Sequence, residues 1–267
     1  MPSPERSDPD PVPLAVEGLS VRYGALAAVA SLSLTVRPGE IYGLLGSNGA
    51  GKSSTIRCIV GLQTPAQGRI RVFGRDPTRE AAITKARIGY VPESTLLFDA
   101  LSPREFLEFV ASVRRLAPEV VASRTRAYVA AMDIEREFDQ PLATLSNGTR
   151  QKVLVMAALL HQPPLLVLDE PLNNLDPRTV RILKELFGEY VRSAGRGILL
   201  STHTMEVAQQ LCHRVGILDH GHLRAEGSLA ELRTQVARGG ANLEELYLRL
   251  TESEEAVATA VRQLQGA

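Results

Sequence analysis

The sequence predicts an α/β fold with a mainly parallel sheet, an N-terminal antiparallel β subdomain and an α-helical insert. Three observations lead there. Apolar residues alternate between glycine and proline breaks over residues 14–40, short all-apolar runs alternate with helical patterns later in the chain, and residues 102–132 show helical periodicity with no strand signal.

The elements follow in order. "LAVEGLSVRYG" and "AVASLSLTVRPGE" read as antiparallel strands, and "IYGLLGSNGAGKSSTIRCIVGL" as strand, glycine-rich loop and helix. "GRIRVFG" and "RIGYVP" are two further short strands, "PREFLEFVASVRRL" is a helix, and Pro118 opens a second one. The polar octapeptide "LSNGTRQK" precedes the apolar run "VLVMAALL", so Ser146 or Asn147 caps a buried helix there. "LLVLDE" is a continuous apolar strand of the kind covered on both faces. "PRTVRILKELFGEYVRS" is a helix opened by proline, "GILLSTH" a buried strand and "MEVAQQLC" a helix; "RVGILDHGHLRAEG" is a hairpin turning at residues 219–221. "SLAELRTQVA" and "NLEELYLRLTE" are closing helices. The chain divides into a disordered tail over 1–13, a main domain over 14–237 with its helical subdomain at about 94–162, and a C-terminal helical extension over 238–267.

Composition narrows the function. The 30 basic and 30 acidic residues cancel, which disfavours nonspecific nucleic-acid binding. Cys58 and Cys212 fall in apolar stretches far apart and read as buried free thiols. "MPSPERSDPDPVP" is proline-rich and acidic, unlike a signal peptide, and every apolar run ends short of the roughly 18–20 residues of a membrane span.

Chemistry concentrates in four places. "GSNGAGKS" has the spacing G-x-x-x-x-G-K-[ST] between a predicted strand and helix. Its glycines let backbone amides form a nest for phosphates, Lys52 reaches the terminal phosphates, and the Ser53 hydroxyl is placed to ligate magnesium. Residues Gly46, Ser47, Asn48, Gly49, Ala50, Gly51, Lys52, Ser53 and Ser54 are the expected cradle. Asp169 ends a buried strand, where open α/β sheets bind ligands; alone, Asp169 and Glu170 would be a solvated strand end, but behind such a loop they suit a metal carboxylate and a base that polarises water. His203, at another strand end, is placed to touch the γ-phosphate and the attacking water. The octapeptide start, with Gly148, is a second helix terminus suited to an anion.

The chain resembles the ATP-binding cassette (ABC) ATPases over about residues 14–251, through "GSNGAGKS", "GYVPE", "LSNGTRQK", "LLVLDE", "NNLDP" and "STH" in that order. The resemblance implies a P-loop NTPase core whose helical insert carries the signature "LSNGTRQK", with ATP and Mg2+ as ligands. It implies that Tyr23 stacks on adenine, that Glu170 is the catalytic base and His203 its switch, and that Asp176 of "NNLDP" acts across a subunit interface. Ser146 and Gly148 match signature residues that contact the γ-phosphate of a second cassette. Glu93 stands where the family usually has glutamine and is expected at the metal with Ser53 and Asp169. Asn147, Thr149 and Ser47 also depart from the commoner residues.

The resemblance further implies an exporter-type ATPase subunit pairing head to tail with another copy. It would act on a separate membrane-spanning permease at the cytoplasmic face of the membrane, with Phe98 and Leu101 near the docking surface. An alternative is an ABC-type switch in DNA repair or translation, which would carry long coiled-coil inserts or two cassettes per chain. A nucleotide-binding module without turnover would lack Glu170 or His203.

Overall fold

The computed structural model describes residues 12–94, 98–173, 175–236 and 247–248. Two sheets form its frame. Strands β1 (Leu14–Tyr23) and β2 (Leu26–Val36) pair antiparallel, and β4 (Gln67–Val72) joins the free edge of β1. The second sheet has the order β5-β6-β7-β3-β8-β9, made of β5 (Ile88–Val91), β6 (Leu165–Asp169), β7 (Gly197–Thr202), β3 (Glu40–Leu45), β8 (Arg214–Asp219) and β9 (His222–Ser228). The first five run parallel; β9 returns antiparallel from β8 by the hairpin expected at residues 219–221.

The central strands are apolar throughout because both faces are covered. Alternate residues point to opposite faces of a strand. Thus Leu166, Leu168, Ile198, Leu200, Ile41, Leu45 and Ile217 join one core with the helices, whereas Leu165, Val167, Leu199, Tyr42, Leu44 and Leu218 join a second core with the antiparallel sheet and α1 (Lys52–Ile59). Cys58 and Cys212 are buried and free, and burial pushes their thiols up to about 11 and about 12.

The insert consists of α3 (Pro103–Val113) and α4 (Pro118–Met132). A reciprocal capping box between Ser102 and Glu105 starts α3, and left-handed Asp133 ends α4. A short 3-10 turn at Leu142–Thr144 leads into α5 (Asn147–Leu159), whose N-cap is Ser146. Helices α6 (Pro177–Arg192), α7 (Met205–Leu211) and α8 (Leu229–Val236) complete the fold. One helix had no clear signal in sequence: α2 (Ala81–Ala86), six residues long with only Thr84 buried.

Pro13, expected in the tail, is buried, and its carbonyl accepts from the Phe73 amide. Residues 1–11 lie outside the described residues, as does the C-terminal extension apart from helical Tyr247 and Leu248. Among the described residues no helix is long and apolar enough to cross a membrane.

Candidate functional site

Parallel register sets the site. Leu45 lies opposite Thr202 and Asp169 opposite Ser201, so β3, β6 and β7 end on one edge of the sheet. The glycine-rich loop leaves β3 there, and the Gly46 amide donates to Thr202 O at 3.2 Å. Two glycines are required by space: a Cβ on Gly46 would lie 2.4 Å from Leu218 O, and one on Gly51, at φ +109°, would lie 2.5 Å from Ala28 O. No side chain caps α1, whose N-cap is Gly51, so its first-turn amides and dipole are available to an anion. Ser47, Asn48, Gly49, Gly51, Lys52, Ser53, Ser54, Glu93 and Glu170 line the resulting cleft of about 170 Å³, together with Ala28. Ala50 is buried beneath it, its carbonyl accepting from the Gly221 amide at the hairpin.

Lys52 and Glu170 meet in this cleft, 6% and 4% exposed, with Nζ 3.5 Å from Oε1. Lys52 also donates to Gly46 O at 2.7 Å and Ser47 O at 3.1 Å. On its other side Glu170 Oε1 is 2.9 Å from His203 Nδ1. A carboxylate only accepts, so Nδ1 carries the proton and Nε2 is left for water or phosphate. Glu170 Oε2 is buried without a hydrogen-bond partner among the described residues. The residue sits at φ +49°, a left-handed conformation that costs about 1–3 kcal/mol away from glycine and persists at functional sites. Its amide is held by Ser201, at 3.2 Å from both O and Oγ.

Asp169 points elsewhere. It accepts from the Ser201 hydroxyl, and burial raises its carboxyl above the ordinary range; bonds from Ser201 and Ser53 oppose that, while the charges of Glu93 and Glu170 add to it. Ser53 Oγ also donates to Glu93 Oε2 at 3.3 Å, so one hydroxyl stands between two carboxylates. Hydroxyl and carboxylate oxygens are the donors a hard divalent cation takes, completed by phosphate and water. This set fits magnesium.

Tyr23 lies at the end of β1, 45% exposed, its hydroxyl hydrogen-bonded to Gln63 and Ser54. The Ser54 hydroxyl is the main cause that holds the phenol below its ordinary range; burial opposes it, and Arg57 adds to the lowering.

Ser146, Gly148 and Asp176 form a separate group, and none of them lines the cleft. Ser146 Oγ accepts from the Thr149 amide at 3.2 Å, which is the expected cap. Asp176 caps α6, and bonds from the Thr179 hydroxyl and amide hold its carboxyl well below the usual range. Lys152, last of the octapeptide, joins the two segments by reaching Asp176 at 3.2 Å and Met132 O at 3.0 Å. Gln151 adds a buried bond to Pro171 O, just after Glu170.

Phe98 stands out at 58% exposure with its ring edge-on to exposed Phe109. Leu101, expected beside Phe98, is partly buried: it packs against the main core, and its amide donates to Phe98 O at 2.9 Å. A larger hollow of about 770 Å³ between α3 and α4 is floored by Leu107, Val129 and Phe138, away from the phosphate-binding loop. Sequence reading missed Ser201, Gln63 and Lys152. Ser201 stands on β7, two residues before His203, the one signal that marks it in sequence.

Residues 29–173, more than half of the chain, match the family model described as ABC transporter. The ABC-type transporter ATP-binding protein EcsA of Bacillus subtilis is 35% identical over 241 residues, covering 90% of this chain and 97% of that protein. The Nod factor export ATP-binding protein I of Ralstonia nicotianae is 35% identical over 238 residues, 88% of this chain and 72% of that protein. A solved structure of the ATP-binding subunit of an ABC transporter superposes with TM-score 0.83 at 35% identity, covering 89% of this chain and 99% of that one. With one relative and one solved structure matched along nearly their whole length, the phosphate cradle beside a buried glutamate has its assignment: the chain belongs to the ABC transporter family and is an ATP-binding, ATP-hydrolysing subunit.

Proposed function

We propose that this subunit hydrolyses magnesium-bound ATP between two copies of itself paired head to tail, and that the resulting opening and closing drives a separate membrane-spanning permease. The observation that carries the pairing is the position of two phosphate-seeking helix starts. The uncapped start of α1 faces the cleft, whereas the start of α5, with exposed Ser146 and with Gly148, does not line it. A second copy related by a twofold axis uses both starts on both nucleotides.

Within the cleft, the α1 amides and Lys52 hold the phosphates, and Tyr23 offers a face to adenine. Ser53, Asp169 and Glu93 would hold Mg2+, which supplies charge neutralisation on the phosphates when bound. Glu170 takes a proton from the attacking water; its buried Oε2 is the unpaired acceptor for that task. His203 orients Glu170 through Nδ1 and meets the γ-phosphate. Ser201 fixes both neighbours, donating to Asp169 and accepting from the Glu170 amide. Asp176 and the signature act on the partner's site, with Lys152 holding the two segments together.

Exposed Phe98 and Phe109 offer the permease an apolar contact. In this reading the subunit sits peripherally at the cytoplasmic face of the membrane, held through the permease. Gly148→Asp tests the pairing, because a carboxylate at that helix start repels a phosphate. The expected result is ATP binding to the monomer within about threefold of the parent and no ATP-dependent doubling of mass by light scattering. An ATP-induced dimer of parental stability would refute head-to-tail pairing through the signature.

A further inference from the structure

Tyr23 is tied to the phosphate-binding helix by its hydroxyl. The phenol donates to Gln63 Oε1 at 2.8 Å and lies 3.3 Å from Ser54 Oγ. Ser54 belongs to the first turn of α1, while Gln63 follows its last turn, where the Leu62 and Gln63 amides both donate to Arg57 O at 2.8 and 3.1 Å. One exposed ring from the end of β1 therefore touches groups at both ends of an eight-residue helix.

That helix begins with Lys52 and Ser53, so the reach from ring to phosphate cradle is set by a rigid element. At 45% exposure, packing holds only part of the Tyr23 side chain. An unheld side chain would have to be ordered when a base stacks on it, which opposes binding.

We propose that Gln63 is a positioning residue for the nucleotide base: by accepting from the Tyr23 hydroxyl it holds the ring at a set reach from the phosphate cradle before ATP arrives. The inference rests on the reading of Tyr23 as the adenine platform. Gln63 touches neither phosphate nor metal in this scheme, so its effect is confined to ligands that carry a base.

The test is calorimetric titration of ATP and of inorganic tripolyphosphate, both with magnesium, into the full chain and its variants. Gln63→Leu and Tyr23→Phe should each weaken ATP about three- to tenfold, the equivalent of one hydrogen bond, and leave tripolyphosphate unchanged. The double variant should be no weaker than Tyr23→Phe alone, because both remove the same contact. Gln63→Glu keeps an acceptor and adds a charge felt by both ligands, so the ratio of its ATP affinity to its tripolyphosphate affinity should return to the parental value. Tyr23→Ala should cost about a further tenfold for ATP only, through lost stacking. If Tyr23→Ala weakens ATP selectively while Gln63→Leu does not, the positioning role is overturned and the platform stands. If Tyr23→Ala weakens both ligands alike, or neither, the platform reading fails and the inference with it. Equal loss of both ligands in Gln63→Leu also overturns the proposal by showing a merely structural role.

Discussion

Replacing Glu170 by glutamine separates binding from chemistry in one step. The substitution keeps the shape and removes the charge of a carboxylate that is 4% exposed, 3.5 Å from Lys52 and 2.9 Å from His203. At 3.5 Å and an effective dielectric near 20, the gross attraction between Lys52 and Glu170 is about 5 kcal/mol. Lys52 keeps its bonds to Gly46 and Ser47 carbonyls when that attraction is lost, so the loop holds its form. The released ammonium is then free of its carboxylate competitor, and ATP affinity should stay the same or rise by up to about tenfold. Loss of a positioned base costs about 10²–10⁴-fold in rate, or roughly 3–5 kcal/mol of barrier. Single-turnover phosphate release measures the second effect, and equilibrium dialysis of ATP the first. Light scattering of the variant with ATP and magnesium should show a persistent species of twice the monomer mass. Hydrolysis within about tenfold of the parent would refute Glu170 as the base, and loss of ATP binding would refute its independence from the phosphate cradle.

Two further outcomes follow. Phe98→Ala and Phe109→Ala should each lower permease-stimulated turnover about tenfold, the effect of a buried aromatic anchor at an interface, without changing ATP affinity. Reconstitution with the copurifying membrane protein checks this; equal loss of basal and stimulated turnover would remove the surface from docking. His161 supplies a pH dependence. Its Nε2 lies 3.1 Å from Ile88 O, its Nδ1 is buried without a partner among the described residues, and burial, then Arg114, push its pKa from the ordinary 6.5 down to about 4. The unfolded chain takes up this proton as pH falls through 6.5 while the folded chain does not until about 4. Stability from this group is therefore whole above 6.5 and lost progressively below it, by about 1–2 kcal/mol at pH 5 for a partly exposed ring. Urea midpoints at pH 7.5 and 5.0 should fall less for His161→Gln than for the parent; parallel falls would show that another group sets the slope.

The chain's alternation of strands and helices, its glycine loop and the strand ending in Asp169 and Glu170 were legible in the sequence. Each depends on local matters: a side-chain period of two or 3.6, a residue type that admits a tight turn, a cap before an apolar run. The cap at Ser146 and the hairpin at residues 219–221 are of this kind. Short α2 escaped notice because six residues with one buried position carry no readable period.

Tertiary structure decided the contacts between distant segments. That Asp169 lies opposite Ser201 follows from β6 pairing with β7 in one register, and no local pattern states that register. The bond of Gln63 to Tyr23 spans 40 residues, and that of Lys152 to Asp176 joins the signature helix to a loop beyond the next strand. Leu101 and Phe98, three residues apart, looked alike in sequence, yet only packing set one against the core and left the other exposed. The sequence by itself named the groups able to handle a phosphate. Which of them share one cleft depended on the order of strands in the sheet, because chemistry acts over a few ångströms and chain order does not measure that distance.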